Sequence, residues 1–133
     1  MSTLIDSNVL LDVLTNDRQW SDWSSQALTR AAETSRLVIN PVIYAEVSLG
    51  FAGIEELDEA LLADTFVREP IPYEAAFLAG RAFLGYRRRG GVRTSPLPDF
   101  FIGAHAAVAG YRLITRDAAR FRTYFPKLSL IAP

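Results

Sequence analysis

The stretch that decides the fold is STLIDSNVLLDVL, residues 2–14, in which a short apolar run leads directly into an acid. Residues 2–6 have the composition of a buried strand, and the spacing that follows predicts a helix over 7–15 with Ser7 as its N-cap. Asp6 is therefore predicted to stand where the chain leaves a buried strand and enters a helix. A carboxylate in such a place needs hydrogen bonds or a cation, because an unpaired buried charge is costly.

The alternation of short apolar strands and helices continues along the chain. Further strands are predicted at 37–39, 66–69, 111–115 and 128–131. Asn40 followed by Pro41 is typical of a helix start, with an N-cap and a proline in the first turn. The predicted helices after the first span 20–34, 41–50, 54–65, 72–90, 98–110 and 116–125. This order predicts an α/β protein with a parallel sheet of four to five strands, covered by helices on both faces.

The composition excludes several classes of site. The 133-residue chain has no cysteine and one histidine, which excludes disulfides, thiolate zinc sites and histidine-rich metal sites. Its formal net charge of −1 argues against binding nucleic acid through bulk positive charge alone. There is no apolar run of about eighteen residues and no signal peptide, so we expect one cytoplasmic domain over residues 1–133 without a membrane contact. Hydrophobic residues make up 50% of the chain, which suggests an apolar surface for a partner or a second copy.

Four acids are predicted to meet at one edge of the sheet, where ligands of such folds bind. Asp6 ends the first strand, and Asp117 lies two residues beyond the third clear strand. Glu46 lies on the second turn of the helix after the second strand, where its apolar neighbours leave it no polar face. Asp99 opens the helix that precedes the third clear strand. Glu46 joins the other three only if its helix packs across that edge.

Convergence of four carboxylates would require a source of positive charge. Two unit charges about 4 Å apart cost roughly 4 kcal/mol at an effective dielectric constant of about 20. Some of the acids must therefore keep their protons, or a divalent cation must bind. Oxygen ligands without histidine or cysteine favour Mg²⁺ or Mn²⁺ over zinc. With water and a phosphodiester, such a centre would perform metal-assisted hydrolysis.

Four segments, in this order and spacing, resemble the PIN-domain ribonucleases, most closely the VapC toxins of bacterial and archaeal toxin–antitoxin pairs. They are DSNVL (6–10), PVIYAE (41–46), PDFFIGAHA (98–106) and LITRDAARF (113–121), and the resemblance covers essentially the whole chain. It implies a small α/β/α sandwich, cleavage of RNA with Mg²⁺ or Mn²⁺, inhibition by a cognate antitoxin, and a homodimer or a toxin–antitoxin hetero-oligomer. The residues implied are Asp6, Glu46, Asp99 and Asp117 as catalytic and metal-binding acids, with Asn8 and Thr115 in support. Arg116, next to Asp117, is a candidate contact for an RNA phosphate.

Two other interpretations remain open. Asp99 and Asp117 are explained about equally well as helix caps, and the chain would then be a non-catalytic α/β module that binds another protein. A haloacid dehalogenase-like phosphatase also begins its sheet with a catalytic aspartate. That class would need a second carboxylate where Asn8 stands and a lysine for support, and the only lysine is Lys127 near the C-terminus. Asp12 and the acids of the polar helix faces are assigned no role.

Overall fold

The computed structural model describes residues 1–91 and 97–133. Its centre is a five-stranded sheet with the order β3-β2-β1-β4-β5, in which every neighbouring pair is parallel. The strands are β1 (Ser2–Ile5), β2 (Arg36–Ile39), β3 (Phe66–Arg68), β4 (Arg112–Ile114) and β5 (Leu130–Ile131). Parallel strands need crossover connections, and helices provide them here. The predicted α/β class and parallel sheet are confirmed.

The helices flank this sheet. Those in the described ranges are α1 (Ser7–Leu14), α2 (Ser21–Thr34), α3 (Pro41–Ser48), α4 (Ile54–Ala60), α5 (Tyr73–Arg88), α6 (Leu97–Ala109) and α7 (Ala119–Tyr124). None of these helices is long and apolar enough to cross a membrane. Residues 92–96 lie outside the described residues.

Of the two N-caps predicted from the sequence, Asn40 is confirmed and Ser7 is wrong, and one predicted helix ends early. Asn40 caps α3 as expected, since its Oδ1 accepts a hydrogen bond from the backbone N–H of Ile43 at 3.0 Å. The N-cap of α1 is Asp6 rather than Ser7, because Asp6 keeps an extended backbone and the helix begins at Ser7. The helix predicted over 54–65 ends at Ala60, because the next residue leaves the helical region with φ −112° and ψ 64°.

The order of the strands places a crevice beside β1. The chain runs from β1 outward to β2 and β3, then returns to the other side of β1 to form β4 and β5. In an open α/β sheet, ligands bind beyond the carboxyl ends of the strands where the order reverses in this way. The backbone N–H of Asp6 donates to the carbonyl of Ile114 at 2.9 Å, which ties the ends of β1 and β4 together.

Close packing of α6 against α7 fixes the outer wall of this crevice. Gly103 of α6 permits the approach, since a Cβ at that position would lie 2.5 Å from the ring of Phe125. Phe100, fully buried in α6, packs edge-on against Tyr124 of α7 with ring centroids 5.1 Å apart. The aromatic contact and the small residue together hold the end of α7 against α6.

Candidate active site

Asp6 lies at the crevice between the ends of β1 and β4 and is only 3% exposed. The hydroxyl of Thr115 donates to its Oδ2 at 2.8 Å, and no cationic side chain within the described residues forms an ion pair with it. Burial raises the pKa of Asp6 to about 7; the bond from Thr115 opposes this shift, and the nearby charges of Asp99 and Glu46 add to it. Asp6 is thus a buried acid without a counter-charge among the residues that the structure describes.

Glu46 reaches the same region from α3. The hydroxyl of Ser7, the first residue of α1, donates to Glu46 Oε1 at 2.8 Å and lies 3.5 Å from Asp6 Oδ1. Only the shorter distance is a good hydrogen bond. Burial raises the pKa of Glu46, the bond from Ser7 lowers it, and the charge of Asp99 raises it further. Ser7 therefore holds Glu46 through one good hydrogen bond instead of capping the helix that it begins.

Asp99 lies in the first turn of α6 and forms an ion pair with an arginine. Arg120 of α7 donates from Nη1 to Asp99 Oδ2 at 2.6 Å, and the two side chains are 34% and 32% exposed. Burial nevertheless raises the pKa of Asp99; Arg120 acts in the opposite direction, and the charge of Asp117 adds to the rise. One guanidinium does not fully compensate this carboxylate.

Asp117 and Asn8 lie at the margins of the group. Asp117 is exposed, and its backbone N–H donates to Thr115 Oγ1 at 3.1 Å. The buried Oδ1 of Asn8 has no hydrogen-bond partner in the part of the chain that the structure describes. The site therefore has an inner part, formed by Asp6, Glu46 and Asp99, and an outer acid, Asp117.

The helix-cap interpretation of these acids finds little support. Asp6 occupies the N-cap position of α1 but makes no side-chain hydrogen bond to the helix. The N-cap of α7 is Ala118 and not Asp117. The residue before α6, at position 96, lies outside the described residues. Aspartate caps act by accepting a hydrogen bond from the first turn, and neither Asp6 nor Asp117 does so for its helix.

Two interactions near the site were missed from the sequence. Asp12, predicted to lie on a polar face, is 2% exposed, and it accepts bonds from Ser24 Oγ and Arg116 Nε, both at 2.8 Å. The flanking Leu11 and Val13 resemble the apolar neighbours of Glu46 and were a usable signal. Arg120 was also missed, because the sequence has no feature that joins it to Asp99, 21 residues earlier.

The donor set fits a hard divalent cation in its chemistry. All candidate donors are oxygen atoms, which Mg²⁺ prefers, and they include the buried Oδ1 of Asn8, which has no hydrogen-bond partner among the described residues. Burial is the main cause that raises the pKa values of Asp6, Glu46 and Asp99, so a bound cation would stabilise their charged forms. Within residues 1–91 and 97–133, however, no three acids or histidines are gathered closely enough to hold a metal ion.

Comparison with solved structures gives the same fold. A chain of the VapBC2 complex from Rickettsia felis, bound to a promoter DNA fragment, matches with a TM-score of 0.77 and 17% identity over 100% of this chain and 99% of that one. VapBC-1 from nontypeable Haemophilus influenzae matches with a TM-score of 0.74 and 19% identity over 99% and 98%. A toxin–antitoxin complex from Klebsiella pneumoniae matches with a TM-score of 0.68 and 26% identity over 90% of both chains.

Sequence comparison identifies the family. No curated protein matches the chain. The model of the PIN domain family, in contrast, matches residues 3–125, which is nearly the full length. The order of its acids, its parallel sheet and this match agree, and the chain belongs to the PIN domain family.

Proposed function

We propose that the chain is a VapC-type toxin, an endoribonuclease that requires Mg²⁺ or Mn²⁺ and hydrolyses RNA phosphodiester bonds. The observation that carries this proposal is Asp6, a buried acid at the end of β1 that has no cationic partner in the described residues and two further acids beside it. Membership of the PIN family supports a nuclease, and the likeness to VapBC complexes supports a toxin. The unmet need for positive charge supports the metal.

The proposed cation ligands are Asp6, Glu46, Asp99 and Asp117, with Asn8 and Thr115 in support. A bound cation would lower the pKa of the attacking water and stabilise negative charge on the leaving oxygen. The protein's own part is to hold its ligands in place. Thr115 fixes Asp6 at a strand end, and Ser7 fixes Glu46 on a helix, both through hydrogen bonds of 2.8 Å. Rigid elements position such ligands better than loops do.

Arg116 is the proposed contact for an RNA phosphate. Its Nε is held by Asp12, and its guanidinium lies over the ring of Trp20, 5.6 Å from the centroid. These two contacts orient the side chain without using its terminal nitrogens, which make no hydrogen bond among the described residues. A guanidinium with free N–H donors can bind a phosphate through two hydrogen bonds.

A cognate antitoxin is the proposed protein partner, in a hetero-oligomer or with a homodimer of this chain. Large apolar side chains are exposed on the described surface, among them Leu49, Tyr73 and Phe77 at 89%, 91% and 67%. Apolar surface of this kind is typical of a protein–protein contact when the residues form one patch. The likeness to chains of VapBC complexes supports the same partner class. We also propose that residues 1–133 act as a single cytoplasmic domain.

A cleavage assay tests the proposed activity. Purified chain, freed of any antitoxin, would be incubated with total tRNA and rRNA in Mg²⁺ or Mn²⁺, and separately in EDTA. We expect cleavage that requires the cation and is lost in Asp99→Asn. The matched control is Asp64→Asn, an exposed aspartate between α4 and β3. Cleavage that persists in EDTA, or equally in both variants, would contradict the proposal.

A non-catalytic interaction module is the second candidate function. One observation favours it: the described residues do not gather three acids into a ready metal site. Such a module would show no change in melting temperature with Mg²⁺, whereas a metal-dependent nuclease gains stability from the cation by mass action. The melting measurement therefore separates the two candidates even when the RNA target is unknown.

A further inference from the structure

Arg120 forms an ion pair with Asp99, and the proposed function gives this arginine no role. Its Nη1 lies 2.6 Å from Oδ2 of Asp99, so a guanidinium of the chain itself already holds one of the proposed metal ligands. The face of the same guanidinium lies over the ring of Tyr86, 5.7 Å from the centroid. Tyr86 is in turn packed against Phe100 of the buried aromatic cluster, with ring centroids 5.7 Å apart. A rigid aromatic base thus supports a cation at the mouth of the crevice.

The two arginines of the loop and helix that follow β4 differ in the acid that they contact. Arg116 pairs with Asp12, a buried acid outside the proposed metal ligands. Arg120 pairs with Asp99, which a divalent cation would also require. Both arginines are about one-third exposed, at 32% and 34%, and both rest on an aromatic ring. The first contact can persist when a cation binds, whereas the second competes with it.

Resting on the proposed function, we propose that Arg120 is a substrate-binding residue held on Asp99 until a divalent cation displaces it. In the metal-free chain its guanidinium neutralises Asp99. When a cation takes Asp99, the guanidinium is released but remains over Tyr86, beside the reacting centre. It then binds a phosphate of the RNA backbone, for which arginine has the right fork of donors. Binding of the metal ion therefore also makes the Arg120 guanidinium available at the place where the negatively charged substrate binds.

The first test measures cation binding in the absence of RNA. Free Mn²⁺ would be titrated by electron paramagnetic resonance against the antitoxin-free chain and against Arg120→Gln. We expect Arg120→Gln to bind Mn²⁺ roughly fivefold more tightly, because the competing guanidinium is gone. Arg122→Gln removes the same charge from an exposed position on the same helix and should stay within about twofold of the parent. Equal or weaker Mn²⁺ binding by Arg120→Gln would overturn the proposed competition.

The second test measures RNA binding with and without the cation. A short fluorescein-labelled single-stranded RNA would be bound at several KCl concentrations, with Ca²⁺ added to occupy the site or with EDTA. Each phosphate contact adds about 0.7 to the slope of log K against log salt for a single strand. With Ca²⁺ we expect Arg120→Gln to lose about this much slope, and with EDTA to match the parent. Arg120→Lys keeps the charge and should retain the slope.

The outcomes separate this inference from the proposed function. If the parent binds no Mn²⁺ at all, the nuclease proposal fails and this inference fails with it. If the parent binds Mn²⁺ while Arg120→Gln and Arg122→Gln behave alike, only the role of Arg120 is overturned. A slope that Arg120→Gln lowers equally with Ca²⁺ and EDTA would show a phosphate contact that needs no release from Asp99, and would also overturn it. Unchanged melting temperatures of the variants would confirm that they are folded.

Discussion

Asp6 and Asp12 lie six positions apart at the start of the chain, and both are buried, with 3% and 2% of their surface exposed. Asp12 has a cation and a hydroxyl, since Arg116 and Ser24 both donate to its Oδ2 at 2.8 Å. Asp6 accepts a hydrogen bond from the hydroxyl of Thr115 and has two other acids near it. Burial raises its pKa to about 7. Within residues 1–91 and 97–133, Asp12 therefore has a counter-charge and Asp6 has none. This difference is what the proposed cation site predicts, since Asp12 is paired within the chain and Asp6 is the proposed cation ligand.

The largest expected difference between the two aspartates is in catalysis. Asp6→Asn should lower RNA cleavage by at least about a hundredfold, because it removes a proposed ligand and even indirect partners of a metal cost that order of activity. Asp12→Asn should retain much more activity once corrected for the folded fraction. Initial rates on the same RNA, in the same Mg²⁺ concentration, make the comparison. Equal losses in the two variants would remove the distinction drawn above.

The next largest effect of replacing each aspartate by asparagine is on stability. Asp6→Asn and Asp12→Asn should change it in opposite directions. The folded-state pKa of Asp6 is raised above its ordinary value of 3.8 to about 7, so its stabilising contribution is full below pH 3.8 and is lost as the pH rises through 7. Asparagine stays neutral, so metal-free Asp6→Asn should become more stable than the parent above that window, by at most ~4 kcal/mol. Urea unfolding at pH 5 and pH 8 measures the difference. A gain that is the same at both pH values would contradict the assigned cause.

Asp12→Asn should instead destabilise the chain, because it leaves Arg116 without its partner. Removal of one member of a fully buried pair costs ~3–5 kcal/mol. Since Arg116 is 32% exposed and can be solvated, we expect about 2 kcal/mol. The urea midpoint should fall with an unchanged slope, which indicates a change in stability alone. A midpoint equal to that of the parent would show that the pair contributes nothing.

The smallest effect concerns the hydroxyl between Asp6 and Glu46. Ser7→Ala removes the 2.8 Å bond to Glu46 and should reduce stability by about 1 kcal/mol in the metal-free chain. The same change should weaken Mg²⁺ binding several-fold, because the carboxylate is then less firmly placed. Ser25→Ala, an exposed serine of α2, is the matched control. Isothermal titration with Mg²⁺ measures the affinity, and unchanged values would remove Ser7 from the site.

The contrast between the two aspartates also shows what the sequence can predict. The strand that leads into Asp6, the cap at Asn40 and the partial burial of Glu46 depend on local features, and each was predicted from neighbouring residues. Asp12 was assigned to a polar face although Leu11 and Val13 flank it. The same argument that singled out Glu46 would have found it.

The pairings that give these acids their environment could not be predicted in this way. Arg116 reaches Asp12 across 104 positions, and Arg120 reaches Asp99 across 21. Such contacts depend on which helices meet at the sheet edge. This is a property of the whole fold, and the spacing of residues along the chain cannot predict it. The sequence could therefore propose where the acids gather, but not which of them already have a cation. That difference distinguishes Asp6 from Asp12.

Asp6, Glu46, Asp99 and Asp117 are proposed to form one divalent-cation site, and a melting experiment tests this claim most directly. The parent, Asp6→Asn and Asp12→Asn would be melted at pH 7.5 with Mg²⁺ and with EDTA. A cation at about ten times its Kd adds ~1.4 kcal/mol of stability, so we predict a clear rise in Tm for the parent and for Asp12→Asn, and none for Asp6→Asn. No rise in the parent, or an equal rise in Asp6→Asn, would contradict the claim.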